Sequence, residues 1–467
     1  MVWQYGDHHD IPNEHRIHRR GGWLPTDHRI LKHWLSHHIK QVDSDRAANR
    51  QRELVSVLKE FQDLIESNAR IYMYFSSMWD EVPHKPPYNK DVTGRSQIRD
   101  YKHMLDVLNQ VFGKAPEWTD SAAGVGMVGV PLAAIFDYAS GTPSGHAAFL
   151  DPDVNAMLKK ILNEWGAYLK SPESASVLGN NRAGWFGEIG TKDLMEVANS
   201  AASTNYTKFE DIFQCPDPSA PNKGFKSWDD FFTRRFHPSA RPIASPDNDL
   251  VVANACESKP YALSHDVKLR DKFWIKGQPY SVLDMLAHDP SSSHFAGGTV
   301  YQAFLSALSY HRWHSPVSGT IKRAFVEQGT YFSEPLFSAS SSDDPSIDRT
   351  GKEGEYEILQ KGITQSQGYL TALATRAIFL IEAAAPEIGL MAFIAVGMDE
   401  VSSCEITVKE GQKVKKGDEL GMFHFGGSTH CLIFRGEVGK KMEGWPRIGR
   451  EENVPVRGRL CEVGKGK

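Results

Sequence analysis

Two short segments carry residue types that can do chemistry on a carbonyl group. His311-Arg312-Trp313-His314 follows the apolar stretch 304–310 and precedes Ser315-Pro316. Two histidines three apart can present their imidazoles on one side of a turn or helix end. Imidazole titrates near neutrality, so such a pair suits proton transfer. A structural pair with satisfied hydrogen bonds is the plainer alternative. Further on, Phe425-Gly426-Gly427-Ser428-Thr429 follows a strand-like run. Its glycines permit backbone conformations barred to other residues and clear the approach to the Gly427 carbonyl. The hydroxyl of Ser428, directly after that carbonyl, can attack it. A plain Gly-Gly-Ser turn would use the same residues without any chemistry.

Other motifs carry less. Gly124-Val125-Gly126-Met127-Val128-Gly129 matches GxGxxG, but polar Thr119-Asp120-Ser121 precedes it and Pro131 follows almost at once. A dinucleotide loop needs a strand before and a helix directly after, so a small-residue packing segment is the better account. His33 and His37 stand at i, i+4 in a histidine-rich N-terminus, with no glutamate in an HExxH arrangement, and no metal site is expected. The five cysteines are scattered and odd in number, without a CxxC, which points to a reducing compartment.

The elements that must position these residues follow from length and pattern. The chain has 467 residues, 40% hydrophobic and 24% charged, enough for two or three globular domains. With 53 basic and 58 acidic residues the net charge is −5, which offers no general attraction to nucleic acid. No run is apolar enough for a signal peptide or a spanning helix, so a cytoplasmic protein without a stable membrane anchor is expected. Leu54, Val57, Leu58, Phe61, Leu64 and Ile65 mark one helix, and the apolar positions from Ile98 to Phe112 a second. Asp151-Pro152-Asp153 opens a third that Pro172 stops. After a proline-rich stretch the period changes: 377–382 and 388–397 read as buried strands, and 338–354 as a polar surface loop. The expected class is α+β, with a helical N-terminal domain (1–222) followed by a β-rich catalytic domain (223–467). Segments 315–329 and 406–420 look like the paired hairpins of a lipoyl-like fold, although no lysine sits at a carrier hairpin tip.

Taken together, the segments FFTRRFHPSARPI (231–243), YHRWHSPVSGTI (310–321), QGTYF (328–332), VGMDEVSSCEI (396–406) and VKKGDELGMFHFGGST (414–429) resemble the phosphatidylserine decarboxylase family of pyruvoyl enzymes. They occur in family order. Gly21-Gly22-Trp23-Leu24, KGQPYS (276–281), EIGL (387–390) and GMFHFGGS (421–428) are similar to a soluble fungal subgroup that decarboxylates L-tryptophan.

The resemblance implies that Ser428 attacks the Gly427 carbonyl, that β-elimination cleaves the chain between them, and that the new N-terminus becomes a pyruvoyl group. His314 would activate the serine and His311 would serve decarboxylation. Glu257, in Asn254-Ala255-Cys256-Glu257-Ser258, stands where the family's relay aspartate is usual, and a glutamate can still orient an imidazole. The pyruvoyl carbonyl would form a Schiff base with the amine of a small amino-acid substrate and act as electron sink, so no pyridoxal phosphate is needed. The two processed chains would stay associated. Tyr331 and Phe332 either border the side-chain pocket or are core aromatics. Three functions follow as expectations: an aromatic L-amino-acid decarboxylase acting on L-tryptophan, a phosphatidylserine decarboxylase, or a non-enzymatic lipoyl-like binding protein.

Overall fold

The computed structural model describes residues 28–82, 98–118, 131–182, 184–271, 280–333, 368–397, 403–425, 428–450 and 452–464. The GxGxxG segment, the polar loop at 338–354 and Gly427 lie outside them. The described residues form two compact bodies: one holds the chain up to Leu169 with 330–333 and 368–370, and the other holds the rest.

The first body is helical: α1 His28–Ala47, α2 Ser56–Ser67, α3 Ala69–Ser77, α4 Tyr101–Val111, α5 Pro131–Ser140, α6 Pro143–Leu150 and α7 Pro152–Leu169. The apolar stripe of α2 buries Val57, Leu58, Phe61 and Ile65, as its spacing predicts. Asp151 caps α7 by accepting from the Asp153 N–H at 2.9 Å and the Val154 N–H at 3.4 Å. Proline in the first turn costs no hydrogen bond there. Phe332 is a core aromatic of this body, its ring 4.8 Å from that of Phe136 and 6.2 Å from that of Phe149.

The second body begins with α8 Glu188–Ala202, α9 Phe209–Ile212 and α10 Trp228–Phe232. The proline-rich stretch around Lys223 lies inside it, and the ring of Phe186, which packs on Phe209, also packs on those of Phe225 and Phe231. Its strands are β1 Val251–Ala253, β2 Lys259–Val267, β3 Gly298–Leu305, β4 Arg312–His314, β5 Gly319–Glu327, β6 Arg376–Ala383, β7 Leu390–Gly397, β8 Ser403–Ile406, β9 Lys413–Val414, β10 Glu419–His424, β11 Ser428–Phe434, β12 Met442–Glu443 and β13 Arg459–Val463. The protein is therefore α+β. Among the described residues the largest sheet runs β2-β3-β11-β7-β6-β5-β9, and smaller ones run β4-β10-β8 and β1-β13-β12. The strand pairings within them are antiparallel.

The core lies between the large sheet and β4-β10-β8, where Trp313 meets Phe379, Phe393 and Phe423. Strand β10 comes this close only because residue 421 is glycine: a Cβ there would sit 2.1 Å from the Glu405 carbonyl oxygen. Strand β11 runs through the middle of the large sheet. All seven of its residues are buried, with Ser428 opposite Leu305 on β3 and Gly397 on β7.

Candidate active site

Ser428 is the first residue of β11, and its hydroxyl has no hydrogen-bond partner among the described residues. The next residue fixes the start of the strand. Thr429 Oγ1 donates to the Ala303 carbonyl and accepts from Gln302 Nε2, both at 3.0 Å. Three residues ahead of the serine, Phe425 is buried with φ of 57°. A bulky side chain in the left-handed region is strained and persists only where its surroundings dictate it.

Those surroundings are explicit. His424, the last residue of β10, is held from both sides: Nδ1 lies 2.8 Å from Asp229 Oδ1 and Nε2 lies 2.9 Å from Glu405 Oε2. The carboxylates meet opposite ring nitrogens and so do not converge on one point. Among the described residues no group of three or more His, Cys, Asp or Glu is placed to hold a metal ion.

His311 is fully buried and stacks on Phe232, centroids 4.0 Å apart and planes at 18°. Phe232 stacks on Trp228 at 4.9 Å, and Trp228 lies 6.1 Å from Phe425. An aromatic series thus connects His311 with the segment that leads into Ser428.

His314 sits differently. Its Nδ1 is 2.8 Å from the Gly417 carbonyl and its Nε2 is 3.2 Å from the Tyr310 hydroxyl. Gly417 has φ of +86°, a conformation that suits glycine. Burial, reinforced by the Arg457 guanidinium, lowers the His314 pKa to about 3, so the ring is neutral. Burial raises Tyr310 to about 12, which keeps its hydroxyl protonated and able to donate to Nε2. Nδ1 faces both the Gly417 carbonyl and the Arg457 guanidinium, whose Nε and Nη2 lie 3.3 and 3.2 Å away. Neither nitrogen hydrogen-bonds Ser428.

Glu257 is 1% exposed and ion-paired with equally buried Arg241: Arg241 Nε donates to Oε2 at 2.9 Å, and the Nη2–Oε1 contact closes the pair. The Val456 N–H also donates to Oε2 at 2.8 Å. No hydrogen bond joins Glu257 to His314. The link is through backbone, since the His314 N–H donates to the carbonyl of Ala255, two residues before Glu257, at 2.9 Å.

Phosphatidylserine decarboxylase family models match residues 55–194 and 228–450. Decarboxylase iboD of Amanita muscaria is 45% identical over 307 residues, covering 66% of this chain and 84% of that protein. The L-tryptophan decarboxylase of Psilocybe cubensis is 33% identical over 425 residues, covering 89% and 88%. Phosphatidylserine decarboxylase proenzyme 2 of Oryza sativa subsp. japonica is 27% identical over 285 residues, 61% of this chain and 38% of that one.

The chain belongs to the phosphatidylserine decarboxylase family. It is a decarboxylase, a carboxy-lyase. Covalent pyruvoyl and autocatalytic cleavage are properties of this family, and a buried serine hydroxyl with no partner among the described residues, at a strand start three residues after the strained Phe425, fits that chemistry. Sequence reasoning alone missed His424 and its two acids, because Asp229 lies 195 residues away. It also missed Tyr310 and Arg457 around His314, and His430. Of these only His424 had a local signal, its place immediately before Phe425-Gly426-Gly427-Ser428.

The neutral imidazoles set an acid limit on stability. His314 and His430 are both lowered to about 3, chiefly by burial, while an unfolded histidine titrates near 6.5. Below that value the unfolded chain binds protons that the native one refuses, so stability is full above it and falls as pH drops toward 3. Lowering pH from 6.5 to 5 is expected to cost about 2 kcal/mol per histidine. Urea unfolding at the two pH values measures this, and His430→Leu should lose its share of the acid sensitivity. Equal sensitivity in variant and parent would contradict a buried neutral ring.

Proposed function

We propose that this decarboxylase cleaves itself between Gly427 and Ser428 and then decarboxylates a free aromatic L-amino acid, L-tryptophan in the first instance. The observation that carries the self-processing is the buried, unpartnered hydroxyl of Ser428 behind the left-handed Phe425. The similarity to an L-tryptophan decarboxylase across 89% of the chain supports the substrate class.

In processing, Ser428 Oγ adds to the Gly427 carbonyl carbon, the Gly427–Ser428 peptide bond breaks, and an ester to the serine oxygen forms. Loss of the residue 428 α-proton and departure of the Gly427 carboxylate leave dehydroalanine, and water releases its nitrogen as ammonia to leave a ketone. That pyruvoyl ketone would condense with the substrate amine and take up the electron pair left as CO₂ departs. His314 is assigned to the serine step by its place in the family motif, with its ring held by Gly417 and Tyr310. His311, connected to Phe425 through Phe232 and Trp228, delivers the proton to the substrate α-carbon. Glu257 is a positioning residue: with Arg241 and Val456 it holds the segment whose Ala255 carbonyl receives the His314 N–H.

In this reading residues 1–222 are the helical N-terminal domain and 223–467 the catalytic one, a division that falls between the two family matches, although the compact body that holds the strands already begins at Lys170. The pairing of Gly319 with Val414 and of Thr320 with Lys413 supports lipoyl-like hairpins at the heart of the latter. The two chains stay associated and work in the cytoplasm. Among the described residues no helix is long and apolar enough to cross a membrane. Phosphatidylserine is the second substrate to test, because both family models bear that name.

His314→Ala should block processing, whereas His311→Ala should cleave normally and turn over at least about 100-fold more slowly. Wild-type cleavage in both, followed by gel electrophoresis over time, would refute these roles. For the substrate, CO₂ release is expected from L-tryptophan, L-tyrosine or L-phenylalanine, indifferent to added pyridoxal phosphate and abolished by hydrazine-type reagents. Turnover of phosphatidylserine vesicles with none of any free amino acid would replace this reading with the second.

A further inference from the structure

His430 belongs to no motif and takes no part in the steps above, yet it stands beside the reacting residue. Side chains alternate along a strand, so Ser428, His430, Leu432 and Phe434 share one face of β11. Leu432 and Phe434 belong to the hydrophobic core, which fixes that face as the inner one. Opposite Ser428 stand Leu305 and Gly397, and opposite His430 stand Ala303 and Ala395. Of these four neighbours only Leu305 carries more than a methyl group. Beyond them the wall is aromatic: the His430 ring is 6.1 Å from Tyr301 and 6.0 Å from Phe393, tilted by 64° and 57°.

The imidazole is 0% exposed, and neither ring nitrogen has a hydrogen-bond partner among the described residues. The Ser428 and Tyr301 hydroxyls share this state. Buried polar atoms are nearly always satisfied, so unsatisfied ones on the strand face that carries Ser428 mark a place where a ligand completes the bonding. Burial also keeps the ring neutral, with its pKa lowered to about 3. A neutral imidazole has one acceptor nitrogen and one N–H, and no charge with which to stabilise a carboxylate that must leave as CO₂. Two strand residues span about 6.6 Å, the reach of an aromatic side chain from a group anchored at 428.

We propose that His430 contacts the substrate side chain and selects aromatic groups that carry an N–H or O–H donor, such as indole. The inference rests on the free-amino-acid reading above and deepens it by naming a specificity residue.

Reductive trapping tests it without turnover. Tryptamine and phenethylamine, in equal amounts with borohydride, compete for the ketone at 428. Condensation loses water, hydride reduces the C=N bond, and the mass of the C-terminal chain reports which amine was captured. The wild-type chain should favour tryptamine, and His430→Leu should lower the tryptamine-to-phenethylamine ratio by about 10- to 100-fold while still self-cleaving. His430→Asn, which keeps a donor and an acceptor, should retain part of the preference and serves if the leucine variant does not fold. An unchanged ratio in the variants overturns the inference, as does failure of both to cleave, which would move His430 into processing. If the wild-type chain captures neither amine, the functional reading fails first and takes this inference with it.

Discussion

Strand β11 places Ser428 where it does because its register leaves no choice. It is hydrogen-bonded along both edges, to β3 and β7, with every residue buried. A slip of one residue would exchange the two buried faces of the strand, turning Ser428 and His430 to the side that Thr429 now takes. The Thr429 hydroxyl, bonded to Ala303 and Gln302, holds against such a slip. A buried hydroxyl without a partner costs about 1–3 kcal/mol. The sheet sustains that cost at Ser428, as it does at Tyr301 and His430.

The same low-polarity surroundings govern the histidines. Desolvation holds His314 and His430 neutral, so neither brings an uncompensated charge into the core. His424 is the contrast: at the end of β10 it faces Asp229 on one side and partly exposed Glu405 on the other. It ties α10, β8 and β10 together just before the strained Phe425. The pieces held by hydrogen bonds on both sides are thus the strand that begins at Ser428 and the His424 clamp before it.

Much of this was legible in the sequence, for reasons specific to each element. The apolar stripe of α2 and the Asp151-Pro152 start of α7 are local signals, and so are the continuous apolar runs that became β6 and β7. Ser428 drew attention because the chemistry expected of it depends only on the residues directly before it. The relations among side chains were not. Glu257 has the charge to orient His314, but its carboxylate is taken by Arg241, and nothing in the spacing of residues 241 and 257 announces that pair. Asp229 meets His424 only once the chain has folded, and His430 looks like any residue of a buried strand until its unpartnered nitrogens are seen.

The central claim is that the Gly427–Ser428 bond is the one the fold is built to break. Intact-mass analysis of the purified chain tests it most directly. The account requires two species, one of 427 residues and one of 467 − 427 = 40 residues beginning with a ketone-bearing, amine-free terminus, and a single uncleaved species from Ser428→Ala. An active preparation that consists only of the full-length chain would contradict it.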